Sequence, residues 1–145
     1  DAIVNSYKIV HSQFENEDIV VNIKGDEVEL FSYENEFQQV IVNILNNAKD
    51  AALEKRKEEK FEPVIDVNVR HINKKVIIDL SNNCGTLTNK VLARIFEPYF
   101  TTKFENKGTG IGLYMSKTII EKNMNGVIGA KKIKNGLNFS IILPI

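Results

Sequence analysis

The chain has 145 residues, enough for one domain with a buried core. Its 19 basic and 19 acidic residues cancel, so no overall field favours nucleic acid or an anionic membrane, and no apolar run reaches bilayer-spanning length. A single cysteine, Cys84, excludes an internal disulfide and fits a reducing compartment, and with only two histidines beside it a structural zinc site is not expected.

In chain order, Ile3, Val4, Tyr7, Val10 and Phe14 fall at helical spacing. Residues 19–23 read as a strand, and Gly25-Asp26 as a turn into a second short strand around residues 28–31. Ser32 is placed to cap a long helix running to about Lys57, with Glu34 and Glu36 in its first turn. Residues 65–69 and 76–80 alternate as half-buried strands around a turn at Asn73-Lys74. A short helix over 89–95 follows, then Pro98, a lid-like loop, the glycine run Lys107–Leu113 and a helix over 114–122. Strands over 126–133 and 137–143, joined at Asn135-Gly136, close the chain. Helices set apart from a largely antiparallel group of strands predict a two-layer α/β sandwich with a mixed sheet.

Two features carry chemistry. Gly108, Gly110 and Gly112 leave backbone N–H groups uncovered by any Cβ at the start of a helix, which suits a polyphosphate. In the long helix Phe37, Val40, Ile41, Ile44, Leu45, Ala48 and Leu53 form an apolar stripe, while Gln39, Asn43, Asn47 and Asp50 form a polar line beside it. Asparagine is a mediocre helix former, so two placed four apart call for a reason. Either they edge the core and bond to neighbouring backbone, or their amide oxygens hold a hard cation such as Mg²⁺ together with phosphate oxygens.

These pieces fall in a known order. The run Gln39–Ala48 (QVIVNILNNA) resembles the N box of histidine-kinase ATP-binding domains, within the superfamily of gyrase, heat-shock chaperone, histidine kinase and mismatch-repair ATPases. The run Arg94–Lys103 (RIFEPYFTTK) resembles the F box, Gly108–Leu113 (GTGIGL) the second glycine box, and Gly136–Pro144 the closing strand. The form of the N box, continuing as NAKDA, and the short lid are similar to the nitrogen-regulation branch.

The resemblance implies a Bergerat-type ATP-binding fold over residues 1–145. It implies a reaction in which the γ-phosphoryl group of Mg-ATP passes to a histidine. It places Asn47 on Mg²⁺ and Asn43 on the metal or the phosphates. Lys103 would sit near the phosphates, with Gly108, Thr109, Gly110, Ile111, Gly112 and Leu113 lining the nucleotide and Asp50 beside it. Gyrase-like hydrolases carry a water-activating glutamate at the position of Asn43; an amide is no useful base, so strong ATP hydrolysis is not expected. Phe96 and Phe100 are expected to pack and anchor the lid.

The first glycine box, Asp-x-Gly-x-Gly in the family, is altered. Ungapped counting from the F box places Asn82-Asn83-Cys84-Gly85-Thr86 on it. Asn82 replaces the aspartate that accepts the adenine amino proton, Cys84 and Thr86 replace the glycines, and Gly85 falls at the variable position. An asparagine oxygen can still accept, but its NH₂ can turn inward instead, and Thr86 adds bulk where the base approaches. Losing that bond would cost roughly 1–3 kcal/mol, about 5- to 150-fold in affinity. Asp79 could replace the missing carboxylate only after a three-residue register shift.

Two readings stay open: an ATP-binding kinase domain, or a degenerate kinase module acting through protein contacts. The family's acceptor histidine lies in a His-Glu or His-Asp sequence; neither His11 nor His71 fits, and both read as surface residues. The implied partners are therefore a histidine-bearing dimerisation domain of the same protein and a response regulator. The chain lacks an initiating Met and reads as a monomeric piece of a homodimeric protein, cytoplasmic or the cytoplasmic part of a membrane-bound sensor.

Overall fold

A computed structural model of the chain describes residues 1–30, 33–100 and 111–144. Helix α1 (Ala2–Asn16) begins where the Asp1 carboxylate accepts the Ile3 N–H at 2.7 Å, an N-cap bond. Ile3, Val10 and Phe14 are buried; Val4, about 100° round the axis from Ile3, is left off the stripe and is 36% exposed. Strand β1 (Val20–Gly25) follows.

The strand expected at 28–31 does not form among the described residues. Val28 is buried without a ladder partner, and its carbonyl accepts the Ala2 N–H at 3.2 Å, so helix α1 takes the bond that a neighbouring strand would have taken. Helix α2 (Glu34–Arg56) starts after Tyr33, which stands at the capping position with φ 58° and makes no side-chain cap; the expected cap Ser32 lies outside the described residues. Its stripe Phe37, Val40, Ile41, Ile44, Leu45 and Ala48 is buried as expected, Leu53 only partly, and Ala52 extends it.

Strands β2 (Val64–Ile72) and β3 (Lys75–Asn82) form a hairpin whose turn residue Asn73 has φ 50°, a left-handed conformation that asparagine tolerates. After the short helix α3 (Asn89–Leu92), three residues shorter than the sequence suggests, come turns through 93–99. Helix α4 (Gly112–Thr118) begins two residues earlier than expected and passes into a π turn (Ile119–Asn123), where Ile119 and Ile120 are both buried. Strands β4 (Val127–Ile133) and β5 (Gly136–Pro144) turn at Asn135, φ 64°.

The sheet order is β1-β2-β3-β5-β4, with β1 parallel to β2 and every other pair antiparallel. The parallel pair needs a crossover, and α2 supplies it, which sets the helix across one face of the sheet. Burial alternates accordingly: Val76, Ile78, Leu80 and Asn82 of β3 face the helices, and Ile77, Asp79 and Ser81 face the other way. The result is the mixed, largely antiparallel two-layer sandwich that the sequence implies.

Candidate functional site

The polar line of α2 meets the start of α4 directly. The Asn43 Nδ2 donates to Gly112 O at 3.2 Å and to Ser116 Oγ at 3.2 Å, and Ser116 Oγ donates to Gly112 O at 2.8 Å. One turn back, Gln39 Nε2 donates to Asn43 Oδ1 at 2.9 Å, so both ends of the Asn43 amide are engaged. The N box and the second glycine box, 69 positions apart, are thus tied side chain to backbone. Ser116 is fully buried and closes this contact. The sequence reading passed over it, since a serine four residues into a helix carries no signal of its own.

At Gly112 an added Cβ would lie 3.7 Å from the Asn43 Cγ, ordinary contact, so the glycine is not demanded by this packing. Ile111 stands at the N-cap of α4, and its own side chain makes no capping bond to the first-turn N–H groups that the sequence assigns to phosphate. Leu113 is partly buried against the core. Lys103, Gly108, Thr109 and Gly110 lie outside the described residues.

Asn47 and Asp50 are half-buried further along α2. At 3.6 residues per turn, Gln39, Asn43, Asn46 and Asp50 fall within about 60° of arc, so Asn46 joins the line. Its Oδ1 is buried without a hydrogen-bond partner, a group the sequence reading did not single out. Among the described residues no group of three His, Cys, Asp or Glu side chains could hold a metal ion. The donor set on α2 is instead one of amide oxygens, which fits Mg²⁺ held by one or two protein ligands, with water and phosphate oxygens completing its shell.

The other end of α2 reaches the altered glycine box. Lys55 Nζ donates to Asn83 O at 3.1 Å and lies 4.5 Å from the Phe61 ring centroid. Asn83 pins the loop to β2, its Oδ1 accepting the Val64 N–H at 2.8 Å. Gly85 has φ +99°, so the glycine stands where the turn needs it, and its N–H donates to Asn135 O at 3.0 Å. Thr86 is exposed. Cys84 is buried, a packing residue, and burial pushes its thiol up to about 11 against the opposing charges of Lys55 and Arg56.

Asn82 ends β3 on the helix-facing side, 9% exposed, and its Oδ1 accepts the Cys84 N–H at 2.9 Å. Asp79 is on the opposite face, with no register shift to bring it round. It accepts from Ser140 Oγ at 2.6 Å, Asn138 Nδ2 at 3.1 Å and Arg70 Nη2 at 3.4 Å. Burial raises its carboxyl, and these bonds together with the Arg70 charge outweigh that and hold it below its ordinary value.

Phe96 meets Phe139 edge to face at 6.3 Å, and the Arg94 guanidinium lies 4.5 Å from the Phe100 ring centroid, so both phenylalanines pack as expected. His11 is exposed and bonds Glu15 at 2.9 Å; His71 is exposed at the hairpin end, its ring 3.1 Å from Glu27 O.

Comparison with known proteins agrees with this arrangement. Residues 32–145 match the family described as histidine kinase-, DNA gyrase B- and HSP90-like ATPase. The two-component sensor PprA of Pseudomonas aeruginosa is 35% identical over 114 residues, which cover 76% of this chain and 12% of that protein. The sensor kinase CckA of Brucella abortus is 32% identical over 117 residues, covering 75% and 12%. This chain therefore spans about an eighth of the length of those relatives. The solved catalytic domain of histidine kinase ThkA superimposes with TM-score 0.82 at 25% identity, covering 99% of this chain and 90% of that one. With the N box joined to the glycine box on this fold and the match running over residues 32–145, the chain belongs to the histidine kinase-, DNA gyrase B- and HSP90-like ATPase family.

Proposed function

We propose that this domain binds a Mg²⁺-nucleoside triphosphate between the polar line of α2 and the start of α4, and donates its γ-phosphoryl group to a histidine on a separate helical hairpin of the same protein. The observation that carries the reading is the Asn43–Gly112–Ser116 contact, which sets the amide line of α2 against the start of α4. Asn47 and Asn43 would hold Mg²⁺, which when bound would neutralise phosphate charge. Asn43, its amide engaged at both ends, acts as a strut and offers no base, so the γ-phosphoryl group is kept until an acceptor imidazole arrives. Lys103, Gly108, Thr109 and Gly110 would complete the phosphate side, and Asp50, Asn82, Gly85 and Thr86 the base side. Catalysis is then positioning and charge neutralisation.

A response regulator is the partner downstream; histidine kinase ThkA has been solved in complex with the response regulator protein TrrA. Among the described residues no helix is long and apolar enough to cross a membrane. The reading as a degenerate module is supported by the altered glycine box alone. It leaves the joined N box without a use.

The test is hydrogen exchange of the chain with Mg²⁺ and a non-hydrolysable nucleoside triphosphate. Residues 43–50 and 112–116 should be protected, and Asn47→Ala should abolish the Mg²⁺ dependence. No protection at several millimolar of any purine or pyrimidine triphosphate overturns the proposal.

A further inference from the structure

We infer that Asn82 turns the base preference of this domain away from adenine and toward a 6-oxopurine, so that inosine or guanosine triphosphate binds in preference to adenosine triphosphate. The inference rests on the proposed reading of the chain as a nucleotide-binding domain. It concerns only which edge of the base that domain accepts.

The orientation of the Asn82 amide is fixed by its own loop. The Cys84 backbone N–H is a donor, and only the carboxamide oxygen can meet it, at 2.9 Å. The NH₂ end is therefore turned the other way. Among the described residues it has no hydrogen-bond partner, and it is not sealed into the core, because Asn46 Oδ1 is the enclosed side-chain atom without a partner. An otherwise 91%-buried residue thus presents a spare donor to accessible space on the helix-facing side of β3.

Asn82 lies toward the opposite end of α2 from Gly112. From Asn43, which touches Gly112, to Lys55, which bonds Asn83 O beside Asn82, the helix advances about 18 Å at 1.5 Å per residue. A nucleotide with its phosphates at the start of α4 and its length parallel to the α2 axis would bring its base to Asn82.

Adenine offers a donor amine at position 6 and an acceptor at N1; a 6-oxopurine offers an acceptor oxygen and a donor N1–H. With position 6 of the base placed against it, where an aspartate would put its free oxygen, the Asn82 NH₂ opposes the adenine amine donor to donor. It donates to the 6-oxo group, and the second lone pair of Oδ1 remains for N1–H. An aspartate in the same place would keep the Cys84 bond with one oxygen and offer the amine the other. The single change from carboxylate to carboxamide inverts the polarity of the site. A base whose edge is left unpaired or opposed binds about 5- to 150-fold less tightly.

The experiment is calorimetric titration of the chain with Mg²⁺-ATP, Mg²⁺-ITP and Mg²⁺-GTP under one set of conditions, with the Asn82 side-chain amide protons followed by NMR. ITP and ATP differ only at the edge in question. Tighter binding of ITP than ATP by about five-fold or more, with the Asn82 amide protons shifted by ITP, bears the inference out, and Asn82→Asp should reverse the order. If ATP binds the unaltered chain as tightly as ITP or more tightly, the inference fails while the nucleotide-binding reading stands. If none of the three binds at several millimolar, both fail. The comparison on the unaltered chain decides the matter even where Asn82→Asp does not fold.

Discussion

Replacing Asn43 by aspartate separates a strut from a metal ligand. The change is isosteric and leaves an oxygen for Gln39, but it converts Nδ2, the donor to Gly112 O and Ser116 Oγ, into an acceptor. Ser116 can turn its hydroxyl toward the new carboxylate only by leaving Gly112 O, so two bonds are lost on balance either way and Gly112 O keeps its helical partner. At about 0.5–1.5 kcal/mol for each lost bond, two lost bonds come to roughly 1–3 kcal/mol. For a domain of this size that lowers Tm by roughly 3–10 °C. Urea and thermal unfolding in metal-free buffer measure it, and hydrogen exchange over residues 112–118 should show α4 loosened specifically. Were Asn43 only a metal ligand, aspartate would leave metal-free stability unchanged and strengthen Mg²⁺ binding. An unchanged unfolding midpoint with unchanged exchange in α4 refutes the strut.

Gly136→Ala should unfold the chain or cost upward of about 3 kcal/mol, read by circular dichroism, because its Cβ would fall 1.6 Å from Asn82 O, backbone that cannot step aside. Cys84, with its thiol near 11, should resist a maleimide at pH 8 in the folded chain and react promptly in urea; equal rates would contradict its burial. The same raised value favours the folded state below the ordinary thiol value and is lost as pH rises toward 11, so Cys84→Ala should flatten the alkaline fall in stability. Asp79 titrates below its ordinary value, so its contribution is present above about pH 4 and disappears as pH falls through the folded value. Asp79→Asn should therefore lose less stability than the unaltered chain between neutral and acid pH, and an identical acid profile would count against the Ser140–Asn138–Arg70 cluster.

Much of this protein was legible in the order of its residues. Periodicity at 3.6 marks the buried stripe of α2, and alternation marks β2 and β3, because each pattern reflects which side of an element meets the core. Residues 28–31 misled, since a short apolar run looks the same whether it pairs in a ladder or gives its carbonyl to a helix end, as Val28 does to Ala2. The glycine spacing and the asparagine line pointed separately to phosphate and to a hard cation. Nothing in either segment could show that Asn43 and Gly112 touch, because that contact depends on how α2 and α4 cross over the sheet. The amide of Asn82 is the sharper case: its sequence position names the residue, but only the bond from Cys84 N–H decides which end faces outward. Local pattern determined the elements and the kinds of group they carry. The packing of distant segments decided which groups meet and which way they point, since hydrogen-bond direction is a property of neighbours in space.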